Sequence, residues 1–233
     1  MQSAFIVFRL ARHLSVHVAH TIESQVETYP DDWRLDLASI ILFGAFAGVS
    51  VGAWTGGIHT VYVASKVPLL LIGTLLIGLP SMALLGRLLG CSLSLTETAS
   101  LTLSSIARTA VVLGALSPVT TYFALTLPSR GVSVYRAVVL LQVFSFAIAG
   151  FVGVAALRKR LARVVLSRSH QLRIICLWLF IYSFVGAQLT WLLRPFLGNP
   201  GATVEYLRPY GERIGVDSNF YVSVYLLIKH SLF

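Results

Sequence analysis

The sequence predicts an all-α polytopic transmembrane helix bundle of about five spans, and three observations point there. Charged residues make up 12% of the 233-residue chain, against roughly 25% in an ordinary soluble domain. Hydrophobic residues make up 56%, and the mean hydropathy of +0.81 is strongly positive. A soluble fold of this length has too little interior to hide so much apolar surface, so hydrocarbon is the expected solvent. The basic residues behind the net charge of +9 cluster between apolar runs. There they read as topogenic charge at a phospholipid surface, which argues against nucleic acid as a partner.

Residues 1–36 are expected to form an amphipathic helix and an acidic hinge on the cytoplasmic side. Phe5, Phe8, Leu10, Leu14 and Val16 can share one side of a helix, with Arg9, Arg12, His13, His17 and His20 on another. That run is too interrupted to span and suits a helix lying at headgroup level. An organellar targeting sequence shares the same basic, acid-poor character and stays open as an alternative. The spacing of His13, His17 and His20 would also suit a metal or tetrapyrrole. With no acidic or cysteine partner in the motif, a polar helix face is the plainer reading, so no metal ligand or cofactor residue is assigned. Pro30-Asp31-Asp32 then supplies a turn and a helix start.

The transmembrane domain is expected over residues 37–197, with spans at about 37–57, 67–85, 109–127, 134–157 and 174–196. In the first span Gly44, Gly48, Gly52 and Gly56 recur every four residues. Such a stripe lets another helix approach backbone to backbone, in this chain or in another. Lys66 and Pro68 enter the second span, Arg87 leaves it, and Pro80 should kink it. Ser94-Leu95-Thr96-Glu97 reads as a capping box opening a long helix, of which the part after Arg108 is enough to cross, with Pro118 midway. Ser145, Ala149 and Gly153 form another four-residue series of small side chains in the fourth span. Span five ends in Trp191-Leu192-Leu193-Arg194-Pro195-Phe196. Residues 198–233 are expected as a tail on the outer side, with residues 220–233 too short to cross and suited to the interface.

The Lys and Arg residues between spans four and five should stay cytoplasmic, which puts the amino terminus inside and the tail outside. Arg34 and Arg87 then also fall inside, and Lys66, Arg130 and Arg136 in short outer loops. Cys91 and Cys176 form no CxxC pair and read as small apolar residues.

No H-E-x-x-H, G-x-S-x-G, P-loop or G-x-G-x-x-G signature occurs in its required context, and no catalytic residue is assigned. Arg108 is the side chain most worth watching, because ionisable groups at membrane depth are costly and often functional. Glu97, Leu101, Ser104 and Arg108 share one helical stripe, readable as a polar track or as Arg108 snorkelling to the headgroups. Gln142 and Gln188 are uncharged polar groups within spans four and five, where they suit interhelical hydrogen bonds. Arg158, Lys159, Arg160, Arg163 and Arg194 are candidates for lipid headgroups.

The string Phe184-Val185-Gly186-Ala187-Gln188-Leu189-Thr190-Trp191-Leu192-Leu193-Arg194-Pro195-Phe196 resembles one found in uncharacterised bacterial multi-pass membrane proteins. Lys66-Val67-Pro68-Leu69-Leu70 and Asn219-Phe220-Tyr221 are similar to that group as well. The likeness covers residues 66 to 225 and implies a bacterial inner-membrane location without a known activity. The five-span layout is also similar to that of Yip-type proteins, without a matching motif.

The expected function is that of a non-enzymatic packing, scaffold or accessory subunit of a membrane complex. Its expected partners are membrane lipids and other membrane subunits or itself. The alternative is a small channel or transporter whose polar path runs by Arg108, Gln142 and Gln188.

Overall fold

The computed structural model describes residues 32–88, 90, 93–126, 132–165, 167–197 and 205–207. The expected N-terminal amphipathic helix and the C-terminal interfacial segment lie outside them. Five α-helices make up the fold: α1 Trp33–Gly52, α2 Ile58–Leu88, α3 Leu95–Thr126, α4 Val132–Val164 and α5 Arg168–Leu192. All five are long and apolar enough to cross a membrane. Only 22% of the apolar window of α5, and 28% of those of α2 and α4, is buried within the protein. The rest presents large aliphatic and aromatic side chains outward, as a chain solvated by hydrocarbon requires. The protein is a multi-pass membrane protein.

The helices form a ring in the order α1, α2, α5, α4, α3, with α2 and α3 also touching across it. The most extensive contacts join α1 to α3, α1 to α2 and α3 to α4, and among neighbours around the ring the slightest join α4 to α5. One end of the bundle carries the start of α1 and the α2–α3 and α4–α5 connections. The other carries the α1–α2 and α3–α4 connections and the segment after α5.

The α1–α2 contact follows from glycine. A Cβ on Gly48 would stand 2.6 Å from the Ala64 Cα, and one on Gly52 2.6 Å from the Thr60 Cα. Gly44 faces Pro68 at 3.4 Å. The stripe therefore packs against α2 of the same chain, through positions eight to twenty-four residues away in a simple antiparallel register. Gly56 lies outside the stripe: it sits in the turn after α1 with φ +77, beside Gly57 at φ +59, values that L side chains rarely adopt.

On the far side of α3, the small residues of α4 do the same work. Ala149 is fully buried, Ser145 nearly so, and a Cβ on Gly153 would meet the Ser105 carbonyl at 3.1 Å. The Ser105 hydroxyl donates to the Gly153 carbonyl at 2.6 Å, and Thr120 Oγ1 donates to Ser50 Oγ at 3.0 Å, tying α3 to α1. Other buried hydroxyls, including Thr74, Thr102 and Ser117, bond carbonyls one turn back in their own helices, which satisfies them without water. At the start of α3, Ser94 Oγ accepts from the Glu97 amide at 3.1 Å, and the Ser94 amide donates to Glu97 Oε2 at 2.7 Å. This is the reciprocal capping box expected there.

Several boundaries differ from expectation: α1 ends at Gly52 rather than near Gly57, and α4 runs on to Val164 while α5 starts at Arg168, so Arg158, Lys159, Arg160, Arg163, Arg168 and Arg173 lie on helical turns rather than in a connection. α2 begins at Ile58 rather than near Val67, so Lys66 lies inside a helix and is fully buried rather than in an outer loop. The physical reason is that partners far along the chain satisfy it. α5 stops at Leu192 rather than running to Phe196, because Pro195 supplies no amide and biases Arg194 away from helical geometry.

Candidate functional site

Two regions gather chemistry that the individual helices do not show. The first is a clasp at the end of the bundle opposite the α4–α5 connection. Residues 58–66 carry the mixed sequence Ile-His-Thr-Val-Tyr-Val-Ala-Ser-Lys, and the Gly56-Gly57 turn lets the helix start at its first residue, Ile58. His59 and Lys66 lie seven residues apart, on one face of α2, and both are buried. The Lys66 ammonium donates to the Pro195 carbonyl at 2.8 Å, and His59 Nε2 pairs with the Phe196 carbonyl at 2.9 Å, which makes that nitrogen the protonated one.

Aromatic rings close the clasp. The Lys66 ammonium lies 5.8 Å from the Phe196 ring centroid and 5.0 Å from that of Tyr206, within cation–π range. Tyr206 meets the Tyr62 ring edge-on at 5.2 Å and its hydroxyl bonds the Ser65 hydroxyl at 3.1 Å. The Arg194 guanidinium lies over the Trp191 ring at 3.3 Å and is half-buried, so it stacks rather than snorkels outward. Thus the segment that breaks α5 is held to α2 by one cation, one imidazole and two tyrosines.

The second region is a lateral groove between α4 and α5. Of the neighbours around the ring these helices meet least closely, and small residues at Ala147 and Gly150 on α4 and Gly186 and Ala187 on α5 leave the space. Toward the bundle centre the groove encloses about 680 Å³, floored by Thr74, Ile106 and Thr109 from α2 and α3. Trp178 and Tyr182 stack along one wall at 4.5 Å with an interplanar angle of 19°. A second stretch of about 880 Å³ continues from the shared residues Phe151 and Val154 to Arg158, Lys159 and Arg168 near the α4–α5 connection. The groove is therefore apolar along its length and cationic at one mouth.

The other sequence candidates are dispersed. Arg108 donates from Nη1 to Ser104 Oγ at 3.0 Å and is half-buried on α3, with Ser104 beneath it almost fully buried. Gln142 is buried on the α4 face that carries Ser145 and Ala149, and among the described residues its amide nitrogen has no hydrogen-bond partner. It thus does not serve as interhelical glue through that group. Gln188 is half-buried on α5. None of the three lines either stretch of the groove. Arg160 is half-buried and Arg163 exposed at the end of α4. Among the described residues no group of three or more His, Cys, Asp or Glu could hold a metal ion.

Sequence reading missed the clasp and the groove for one reason. Both depend on which helix faces which, and Lys66 and Pro195 are 129 residues apart. Of the three strings quoted above for a resemblance, those around Lys66 and around Arg194 meet in the clasp.

Fold and site together define a multi-pass helical membrane protein with a clasped segment after α5 and an open flank. No protein-family model, curated protein or solved structure matches this chain.

Proposed function

We propose that this protein is a non-enzymatic accessory subunit of a complex in the bacterial cytoplasmic membrane, with its amino terminus on the cytoplasmic side. The supporting observation is how the buried chemistry is spent. Lys66, His59, Ser105 and Thr120 hold this chain's own helices together, and the Gly44–Gly48–Gly52 stripe is filled by α2. What remains for recognition points outward. Phe144 on α4 and Phe180 and Phe184 on α5 are exposed, large rings of the kind that anchor membrane interfaces by van der Waals packing.

The orientation is supported by charge. Arg34, Arg87 and the basic residues between Arg158 and Arg173 all lie toward the end bearing the α4–α5 connection, as cytoplasmic loops should. The bacterial location is supported by the resemblance of the Gln188–Phe196 string.

Photo-crosslinking from position 180 in native membranes tests the subunit reading. A discrete crosslinked product, with another protein or a second copy, is expected. A protein that yields no product there and purifies alone as a monomer in mild detergent overturns it.

A further inference from the structure

We propose that the α4–α5 groove is a binding site for one anionic diacyl phospholipid, drawn from the bilayer leaflet at the cationic mouth. The inference stands apart from the accessory-subunit reading, since it concerns this chain and lipid alone.

Two helical stripes frame the groove. On α4, Phe151, Val154, Arg158 and Ala162 follow one another at steps of three or four residues, and on α5 so do Arg168, Leu172 and Ile175. Each stripe is cationic near the α4–α5 connection and apolar toward the bundle centre. Facing one another across a gap, they make a slot with a charged rim and a greasy wall, and no Asp or Glu lines the rim stretch. An amphiphile with an anionic head and long tails matches that gradient. A soluble anion would leave the apolar part empty, and a neutral lipid would leave the arginines without a counter-charge.

Dimensions agree. One leaflet of a ~30 Å hydrocarbon core is about 15 Å deep, or about ten residues of helix. Counted from Ile175, where the rim gives way to apolar wall, that depth reaches the stretch around Tyr182 and Gly186, still within the groove. The groove also lies on the lateral face of the bundle, where lipid arrives by diffusion in the plane. Arg158 and Arg168 set the head position, and the small residues Gly150 and Ala147 leave room for the tails.

Gly150 permits a test that spares the charges. A Cβ built there meets nothing within 4 Å, so Gly150→Leu projects into open groove and improves helix propensity rather than straining the fold. The experiment is native mass spectrometry of the full-length protein released from micelles containing equal phosphatidylglycerol and phosphatidylcholine. The wild-type protein is expected to retain a single phosphatidylglycerol. R158Q/R168Q should weaken retention about 30-fold, if each arginine contributes as basic residues at an anionic surface do. Gly150→Leu should lower it too with the arginines intact.

R87Q/R173Q removes two charges at the same end of the bundle but outside the groove, and should retain lipid as the wild type does. Equal loss in both double variants would reduce the effect to general surface electrostatics and overturn the site. So would unchanged retention in R158Q/R168Q, or displacement of the lipid by soluble glycerol phosphate. Because crosslinking from position 180 is read separately, loss of lipid with partner products intact, or the reverse, tells the two readings apart.

Discussion

The Lys66 ammonium and the Pro195 carbonyl lie 2.8 Å apart across 129 residues of sequence, and the bond ties the segment that follows α5 to α2. A fully buried ammonium persists because a carbonyl and aromatic rings take the place of water around it. Lys66→Met keeps the stem's volume and leaves the Pro195 carbonyl without its donor. That should cost about 1–3 kcal/mol and lower the midpoint of thermal unfolding in detergent by several degrees.

His59 grips the adjacent carbonyl at Phe196, so the two side chains restrain one segment. Once one is lost the other has less to hold, and groups that share a partner couple. The combined Lys66→Met and His59→Leu variant should therefore lose less stability than the two single losses added. Strict additivity, measured by the same unfolding experiment, would show that the clasp does not act as a unit.

Glycine positions in the first span separate by what lies beside them. Gly48→Ala forces a Cβ toward the Ala64 backbone, which cannot yield without moving a helix. A loss of roughly 1–3 kcal/mol or more is expected, as for overpacking elsewhere. Gly56→Ala meets no neighbour and should lose only the roughly 1–2 kcal/mol that a left-handed backbone costs an L residue. Unfolding midpoints of the two variants, measured side by side, check the order.

Gln142 leads to the opposite sign. Its buried amide nitrogen has no hydrogen-bond partner among the described residues, so Gln142→Leu should stabilise the protein by about 1 kcal/mol. A lower unfolding midpoint would mean that the amide is bonded after all. Transport assays on Arg108→Ala bear on the channel alternative. With Arg108 bonded to Ser104 and away from the groove, flux of small ions in reconstituted vesicles should be unchanged.

Much of the architecture was readable from local signals. Five long apolar windows named the spans, and Ser94 with Glu97 named the start of α3, because both effects act within one turn or one helix. The start of α2 was hidden because His59, Thr60, Tyr62, Ser65 and Lys66 look like loop or interface when read in line. They are helical because Pro195, Phe196 and Tyr206 answer them from the other end of the chain. The glycine stripe announced a close contact but carried no address for its partner, since a Cβ-free surface accepts any helix. The groove was likewise illegible, because it is a space between α4 and α5 rather than a run of residues.

Five crossings place the α2–α3 and α4–α5 connections on one side of the membrane and the α1–α2 turn on the other. Single cysteines at Leu95, Ser167 and Ile58, introduced one at a time with Cys91 and Cys176 replaced by serine, probe this through a membrane-impermeant maleimide. Positions 95 and 167 should label from the same face of sealed vesicles, and position 58 only from the opposite face. Labelling of all three from one face would contradict the five-span arrangement on which the clasp, the groove and the proposed function are built.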